Sequence, residues 1–150
     1  ATAGFLEENG YLQYEISNFA RGARFVSRHN QKYWQHTPYL GLGPSAHSFY
    51  RGARWWNCRS VYTYCQTLAQ RTVPVAGAEH LSEEQWNLEA LSLGLRTRWG
   101  IPRAQLPATP EFAGVLAALL QDNYLEIVCD RVIPTRKGLL VADRLPLAFL

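Results

Sequence analysis

Hydrophobic and polar residues alternate along the chain in patterns that predict helices and short strands. The first residues form an apolar and acidic segment that ends at Gly10, a residue that favours the left-handed backbone found at helix ends. Leu12, Tyr14 and Ile16 then alternate with polar residues, which predicts a short buried strand. A helix followed directly by a buried strand is half of an αβ unit, so we expect parallel neighbours for this strand, with most of its sheet outside the chain.

The middle of the chain is predicted to hold a long loop, a strand and a short helix. Residues 17–38 are polar and aromatic without a clear period, and a loop of this length in a compact domain is usually functional. Residues 39–43 are a second strand candidate that ends in glycines. Residues 59–71 are predicted as a short helix, and residues 72–78, with Pro74 and Gly77, as a linker.

The last part of the chain carries clear helix and hairpin signals. Ser82 and Gln85 have the spacing of a capping box, and Thr109 followed by Pro110 predicts the start of another helix. The chain after it is predicted to form a hairpin around Cys129 and Asp130, and Thr135 to open a last helix through Ala142. This order of elements is typical of a winged-helix-like module.

A winged-helix module can bind DNA through the helix that precedes its hairpin. Here that helix, residues 111–121, contains no Arg or Lys and is flanked by Glu111 and Asp122. Because contacts with phosphates supply most non-specific affinity, an acidic helix favours a structural or docking role and no DNA partner.

Composition and charge separate the two parts of the chain. Residues 1–71 carry eight basic and three acidic side chains, fourteen of the nineteen aromatic residues and three of the four histidines. Residues 72–150 carry seven basic and nine acidic side chains. A basic aromatic segment suits a flat anionic ligand or single-stranded nucleic acid, or it is a solvated face over an aromatic core.

Cysteine usage and hydropathy indicate where the protein works. No apolar run approaches the roughly 20 residues of a membrane span, so we expect no transmembrane segment. Three widely spaced cysteines do not form a disulfide framework, which favours a reducing, cytoplasmic location. The chain contains no methionine, which suggests a fragment or a processed chain.

The segment from Arg28 to Trp34 is the densest cluster of candidate chemistry. A neutral histidine such as His29 can bind a metal or heme iron, and Tyr33 and Trp34 could stack on a flat macrocycle. Arg24, Arg28 or Lys32 could pair with its carboxylates, although a hydrogen-bonded structural histidine is the alternative. Gly41 and Gly43 match no phosphate-loop spacing and predict a strand end where a ligand approaches the backbone.

Several strings, in this order, resemble the heme chaperone (HemW-type) branch of the radical-SAM oxygen-independent coproporphyrinogen III oxidase family. In the first part of the chain they are Tyr14–Arg21, His29–Trp34, Tyr39–Ser48 and Arg54–Asn57. In the second part they are Gly94–Arg98 and Thr135–Leu140. The resemblance covers nearly the whole chain as a C-terminal part of such a protein, and the H-N-x-x-Y-W string is specific to the chaperone branch.

The resemblance implies the last strands of a radical-SAM partial TIM-type barrel followed by a winged-helix-like C-terminal domain. Residues 1–71 would be the end of the barrel with its ligand loop, residues 72–78 the linker, and residues 79–150 the C-terminal domain. Glu15 would lie at the carboxyl end of a barrel strand, where such barrels keep their chemistry. Gly41, Gly43 and His47 would lie on the strand that lines the S-adenosylmethionine site.

The resemblance also implies cofactors. The family holds a 4Fe–4S cluster through three cysteines spaced C-x-x-x-C-x-x-C, and S-adenosylmethionine binds the fourth iron. Cys58, Cys65 and Cys129 do not have this spacing, so we expect the chain alone to be inactive in radical chemistry and name no catalytic residue in it.

The chaperone branch implies binding of heme and its delivery to heme-acceptor proteins, with His29 as the iron ligand. Two alternatives remain at this point. One is an oxygen-independent coproporphyrinogen III oxidase (dehydrogenase) of porphyrin biosynthesis, and the other is an RNA-binding module that uses the basic aromatic segment.

Overall fold

A computed structural model describes residues 2–149, which form two compact units. The first unit contains the described residues up to Gln35 and those from Asn87 onward, and the second contains His36–Trp86. No helix within residues 2–149 is long and apolar enough to cross a membrane.

The first unit begins with helix α1 (Thr2–Glu8), and Gly10 after it has a φ of +81°, as the sequence predicted. Strands β1 (Leu12–Gln13) and β2 (Phe19–Ala20) pair antiparallel. A 3-10 turn at Ala23–Phe25 leads to helix α2 (Arg28–Trp34).

The second unit is built on a three-stranded antiparallel sheet. Strands β3 (His47–Tyr50) and β4 (Ala53–Asn57) form a hairpin. Helix α3 (Val61–Ala69) follows, capped by Ser60, and confirms the predicted short helix. Strand β5 (Val75–His80) returns to pair with β4, so the strand order is β3-β4-β5.

The chain returns to the first unit within helix α4 (Glu83–Gly94). Strand β6 (Ile101–Pro102) and helix α5 (Pro110–Gln121) follow. Strands β7 (Leu125–Val128) and β8 (Arg131–Pro134) then form an antiparallel hairpin, and β6 pairs with the other edge of β8. A short helix, α6 (Arg136–Leu139), and a 3-10 turn (Pro146–Phe149) close the described chain.

The core of the first unit forms where α4, α5, the three-stranded sheet and the last turn meet. Its buried members are Leu91, Leu95, Ile101, Leu125, Val132, Leu145 and Phe149. An apolar stripe of α5, which includes Phe112, Leu116 and Leu119, packs against this cluster. The mixture of helices and strands expected from the sequence is thus confirmed, and the strands form small sheets.

Several predicted elements were wrong. The loop predicted at residues 17–38 contains β2, a 3-10 turn and α2. Residues 75–78, predicted as linker, lie in β5. The predicted last helix ends at Leu139, not at Ala142.

The strand predicted at residues 39–43 is reduced to a single bridge between Tyr39 and Phe49. The backbone turns at Gly43 and Ser45, whose φ angles are +105° and +59°, so the strand forms later, at β3. All strand pairs within residues 2–149 are antiparallel, and the parallel barrel strands and the division at residues 72–78 stay predictions.

Candidate functional site

Glu15 is the centre of a hydrogen-bonded cluster in the first unit. It follows β1 and forms an antiparallel bridge with Thr97, which places it beside the chain that leaves α4. The amide of Ile16 donates to the Arg96 carbonyl oxygen at 3.1 Å, and the amide of Arg98 donates to the Tyr14 carbonyl oxygen at 3.1 Å. These bonds fix the backbone on both sides of Glu15, whose exposure is 2%.

Three side chains donate hydrogen bonds to the Glu15 carboxylate. Asn18 Nδ2 donates to Oε1, and Trp34 Nε1 donates to Oε2. Asn30 Nδ2 lies 3.4 Å from Oε1. A buried carboxylate is costly unless its oxygens accept hydrogen bonds, and here neutral donors from the β1–β2 connection and from α2 supply them.

Tyr14 and Ser27 fix the start of α2. The Ser27 hydroxyl caps the helix by accepting from the Asn30 amide at 3.3 Å. The Ser27 amide donates to the buried Tyr14 hydroxyl at 3.3 Å. Tyr14 and Glu15, which are adjacent in sequence, therefore hold the first turn of α2 and its last residue, Trp34.

The seven residues of α2 divide into stripes. Successive helical residues are rotated by about 100°, so residues four apart lie on one face. The inward stripe is Asn30 and Trp34, which bind Glu15. The next stripe is His29 and Tyr33, whose rings meet edge to face with centroids 5.1 Å apart.

His29 and Tyr33 are both exposed, Tyr33 by 40%. Arg28 and Lys32, also exposed, form the remaining stripe of this helix. The exposed side of α2 thus carries an imidazole, a phenol ring and two cations, which are the groups that heme iron, a porphyrin ring and its carboxylates would contact.

Gly41, Gly43 and His47 lie in the second unit. A Cβ on Gly41 would lie 2.0 Å from the His47 carbonyl oxygen, so the turn requires glycine there. The amide of Gly41 donates to Ser48 Oγ at 3.0 Å, and the amide of Gly43 donates to the Tyr64 hydroxyl at 3.0 Å. Both amides are therefore engaged by the unit's own side chains.

His47 is exposed at the start of β3, where its ring lies 5.9 Å from that of Trp56 on the neighbouring strand. The sequence-predicted site residues thus form two groups, one in each unit: Glu15, His29, Tyr33 and Trp34 in the first, and Gly41, Gly43 and His47 in the second.

The cysteines of this chain do not fit an iron–sulfur cluster. Cys58, Cys65 and Cys129 are thiols, and the first two belong to the second unit while the third belongs to the first. Within residues 2–149, no group of three or more His, Cys, Asp or Glu side chains is arranged to hold a metal ion.

The heme chaperone HemW of Mycobacterium tuberculosis H37Rv is 38% identical to the chain over 138 residues, covering 92% of the chain and 35% of that protein. HemW of Bacillus subtilis is 30% identical over 151 residues, covering 97% of the chain and 40% of that protein. The chain belongs to the HemW-type family. It spans only a little over a third of the length of these relatives, and no protein-family model matches it.

Two further likenesses are to proteins whose names refer to radical-SAM chemistry. Mitochondrial radical S-adenosyl methionine domain-containing protein 1 of Danio rerio is 57% identical over 42 residues, which is 28% of the chain and 9% of that protein. The solved radical-SAM coproporphyrinogen III oxidase HemN of Escherichia coli aligns with a TM-score of 0.71 and 19% identity, covering 99% of the chain and 39% of that structure. At this identity the structural likeness shows a shared fold.

Sequence reasoning missed the residues that hold the site together. Asn30 donates to Glu15, Ser27 caps α2 and Tyr14 accepts from the Ser27 amide, and none of these three was a candidate, whereas Asn18 was expected beside Glu15 at the end of the strand. One signal was available for α2, because serine is a common capping residue and Ser27 lies two positions before the H-N-x-x-Y-W string. The pairing of its side chains with Glu15 spans up to 19 positions and has no local signature.

Proposed function

We propose that the chain is the heme-binding part of a heme chaperone-like protein that passes heme to acceptor proteins in the cytoplasm. The observation that carries this proposal is the division of α2, which turns the half-buried Asn30 and Trp34 toward Glu15 and leaves His29 and Tyr33 exposed. His29 is the proposed axial ligand of the iron, and Tyr33 the proposed ring contact. The names of the relatives support heme as the ligand.

The proposal assigns the other predicted residues supporting roles. Glu15 and Trp34 hold α2 in place and do not touch heme. Gly41, Gly43 and His47 belong to the proposed S-adenosylmethionine site of a longer radical-SAM protein, of which residues 79–150 would form a winged-helix-like domain. The cysteines of this chain do not have the spacing that the 4Fe–4S cluster of that protein requires.

Heme titration of single histidine variants tests the role of His29. Loss of an iron–imidazole bond in His29→Ala should weaken heme binding at least about tenfold, or roughly 1.4 kcal/mol, and shift the Soret band. Matched controls are His36→Ala and His47→Ala, which remove imidazoles of the second unit and should leave both quantities unchanged.

Two outcomes would contradict this assignment. One is an unchanged Soret maximum and affinity in His29→Ala, with the loss appearing at His36→Ala or His47→Ala. The other is tight, salt-dependent binding of single-stranded RNA without affinity for heme, which would favour the RNA-binding alternative.

A further inference from the structure

A cavity of about 470 Å³ lies in the first unit and shares no residue with the exposed face of α2. β1, the turn before α2, the chain after α4 and the β7–β8 hairpin form its walls. Small-molecule sites typically measure roughly 300–1,000 Å³ and are mostly apolar with a few polar groups. The cavity has both properties.

Apolar side chains make up most of the wall: Leu12, Ala23, Val26, Val128 and Ile133. Trp99 adds an indole ring that is 39% exposed. An indole beside aliphatic side chains offers a surface on which a flat apolar molecule can stack.

The charged groups of the lining are two arginines, with no carboxylate among the lining residues. Arg131 is fixed, because its Nε donates to the Trp99 carbonyl oxygen at 2.7 Å and its Nη2 to that of Gly100 at 2.9 Å. Arg98 is exposed and forms no ion pair within residues 2–149. An exposed guanidinium that forms no ion pair can bind the carboxylate of a ligand through two parallel hydrogen bonds.

The geometry points to a binding site for a planar apolar molecule that carries a carboxylate, the chemical class to which porphyrins belong. Arg98 pairs with the carboxylate, and Trp99 and the aliphatic wall contact the ring. The choice of a porphyrin within this class rests on the function proposed above.

Cys129 provides a direct test, since its exposed thiol lies in the cavity wall. The full chain is treated with iodoacetamide with and without metal-free protoporphyrin IX, and alkylation of each cysteine is followed by mass spectrometry. At a porphyrin concentration ten times Kd, alkylation of Cys129 should slow about tenfold, because only the unbound fraction reacts. Cys65, an exposed thiol of the second unit, is the internal control and should be alkylated at an unchanged rate.

Two arginine variants, one in the cavity and one outside it, test which side chain binds the carboxylate. Arg98→Gln should weaken porphyrin binding at least about tenfold, or roughly 1.4 kcal/mol, because the carboxylate loses a charge-assisted hydrogen bond. Arg103→Gln removes an exposed arginine outside the cavity and should leave binding unchanged.

Three results would overturn the proposal: equal protection of Cys129 and Cys65, unchanged porphyrin affinity in Arg98→Gln, or a Cys129 thiol that does not react even without porphyrin. Metal-free porphyrin needs no axial ligand, so this test is independent of His29. If porphyrin protects Cys129 but His29→Ala leaves the heme spectrum unchanged, only the proposed role of His29 is wrong. If His29→Ala changes the heme spectrum but porphyrin does not protect Cys129, only the proposed cavity site is wrong.

Discussion

The carboxylate of Glu15 is buried, and its hydrogen-bond donors within the described chain are neutral: two amides and one indole. Burying a carboxylate is unfavourable unless it is paired or hydrogen-bonded, so each of these donors stabilises the fold around it. Because two of them belong to α2, the carboxylate also fixes the direction in which that helix presents His29.

Removal of the indole donor should therefore destabilise the protein. In Trp34→Phe the Glu15 carboxylate loses one hydrogen bond to a charged group, which should lower the free energy of unfolding by about 1.5–3 kcal/mol. Urea denaturation followed by circular dichroism measures the change. Trp99→Phe is the matched control, since it deletes the same atoms from a partly exposed indole of the same unit. Equal losses in the two variants would show that the bond to Glu15 adds nothing.

At the scale of helices and strands, the sequence predicted the elements whose signals are local. Ser82 Oγ accepts from the Gln85 amide at 3.1 Å, and Gln85 Oε1 accepts from the Ser82 amide at 2.9 Å, so the capping box is confirmed. The hairpin is confirmed as well, with Cys129 and Asp130 both in the left-handed region that a two-residue turn requires.

Helix α2 was missed because its inward side is polar. Hydrophobic periodicity detects helices that bury an apolar stripe, whereas α2 turns Asn30 and Trp34 toward a buried carboxylate. The same cause hid the candidate site, since a tertiary contact with Glu15 decides which ring of the H-N-x-x-Y-W string faces outward.

Strand β5 was not predicted, because Pro74 and Gly77 are typical of a linker. A Cβ on Gly77 would lie 2.6 Å from Trp56 Cζ2 on the paired strand, so the glycine makes room for an indole. Proximity of this kind is set by the sheet and cannot be inferred from residues 72–78 alone.

An alanine at position 77 separates the two interpretations. In a linker, Gly77→Ala would leave stability unchanged or raise it by about 0.4–1 kcal/mol, whereas in β5 the clash with Trp56 should cost about 1–3 kcal/mol. Thermal unfolding measures the effect. Gly114→Ala, at a site in α5 with open space for the new Cβ, should instead stabilise by about 0.5–1 kcal/mol. A Gly77→Ala variant that is more stable than the original chain would favour the interpretation of residues 72–78 as a linker.

Helix α5 precedes the β7–β8 hairpin, as the reading helix of a winged-helix module would, but it lacks the charge of such a helix. It carries Glu111 in its first turn and no basic residue in its last turn. We expect residues 79–150 to bind duplex DNA no better than an acidic control protein does, because this helix contains no basic side chain. A sequence-specific gel shift that survives ~150 mM salt would contradict this, because counterion release abolishes weak phosphate contacts first.

At the scale of the whole chain, charge and chemistry are unevenly distributed. The basic, aromatic residues 1–71 supply both groups of predicted site residues, whereas the acidic residues 72–150 supply most of the buried core. Helix α2 belongs to the same unit as that core, and its side chains Asn30 and Trp34 donate to the buried carboxylate of Glu15. These hydrogen bonds orient a helix that is itself short and polar.

The last prediction follows from the spacing of the cysteines and concerns the 4Fe–4S cluster of the radical-SAM family. Cys58 and Cys65 are seven positions apart and Cys129 is far from both in sequence, so the chain lacks the C-x-x-x-C-x-x-C spacing. Anaerobic reconstitution with iron and sulfide should therefore yield no stoichiometric 4Fe–4S cluster. A variant in which all three cysteines are replaced by serine is the control. Iron bound adventitiously to the thiols would add only a weak and featureless absorbance to the spectrum of this control. One cluster per chain, with its visible absorbance band and matching iron and sulfide content, would refute the prediction and show that these thiols converge in a way that their spacing does not suggest.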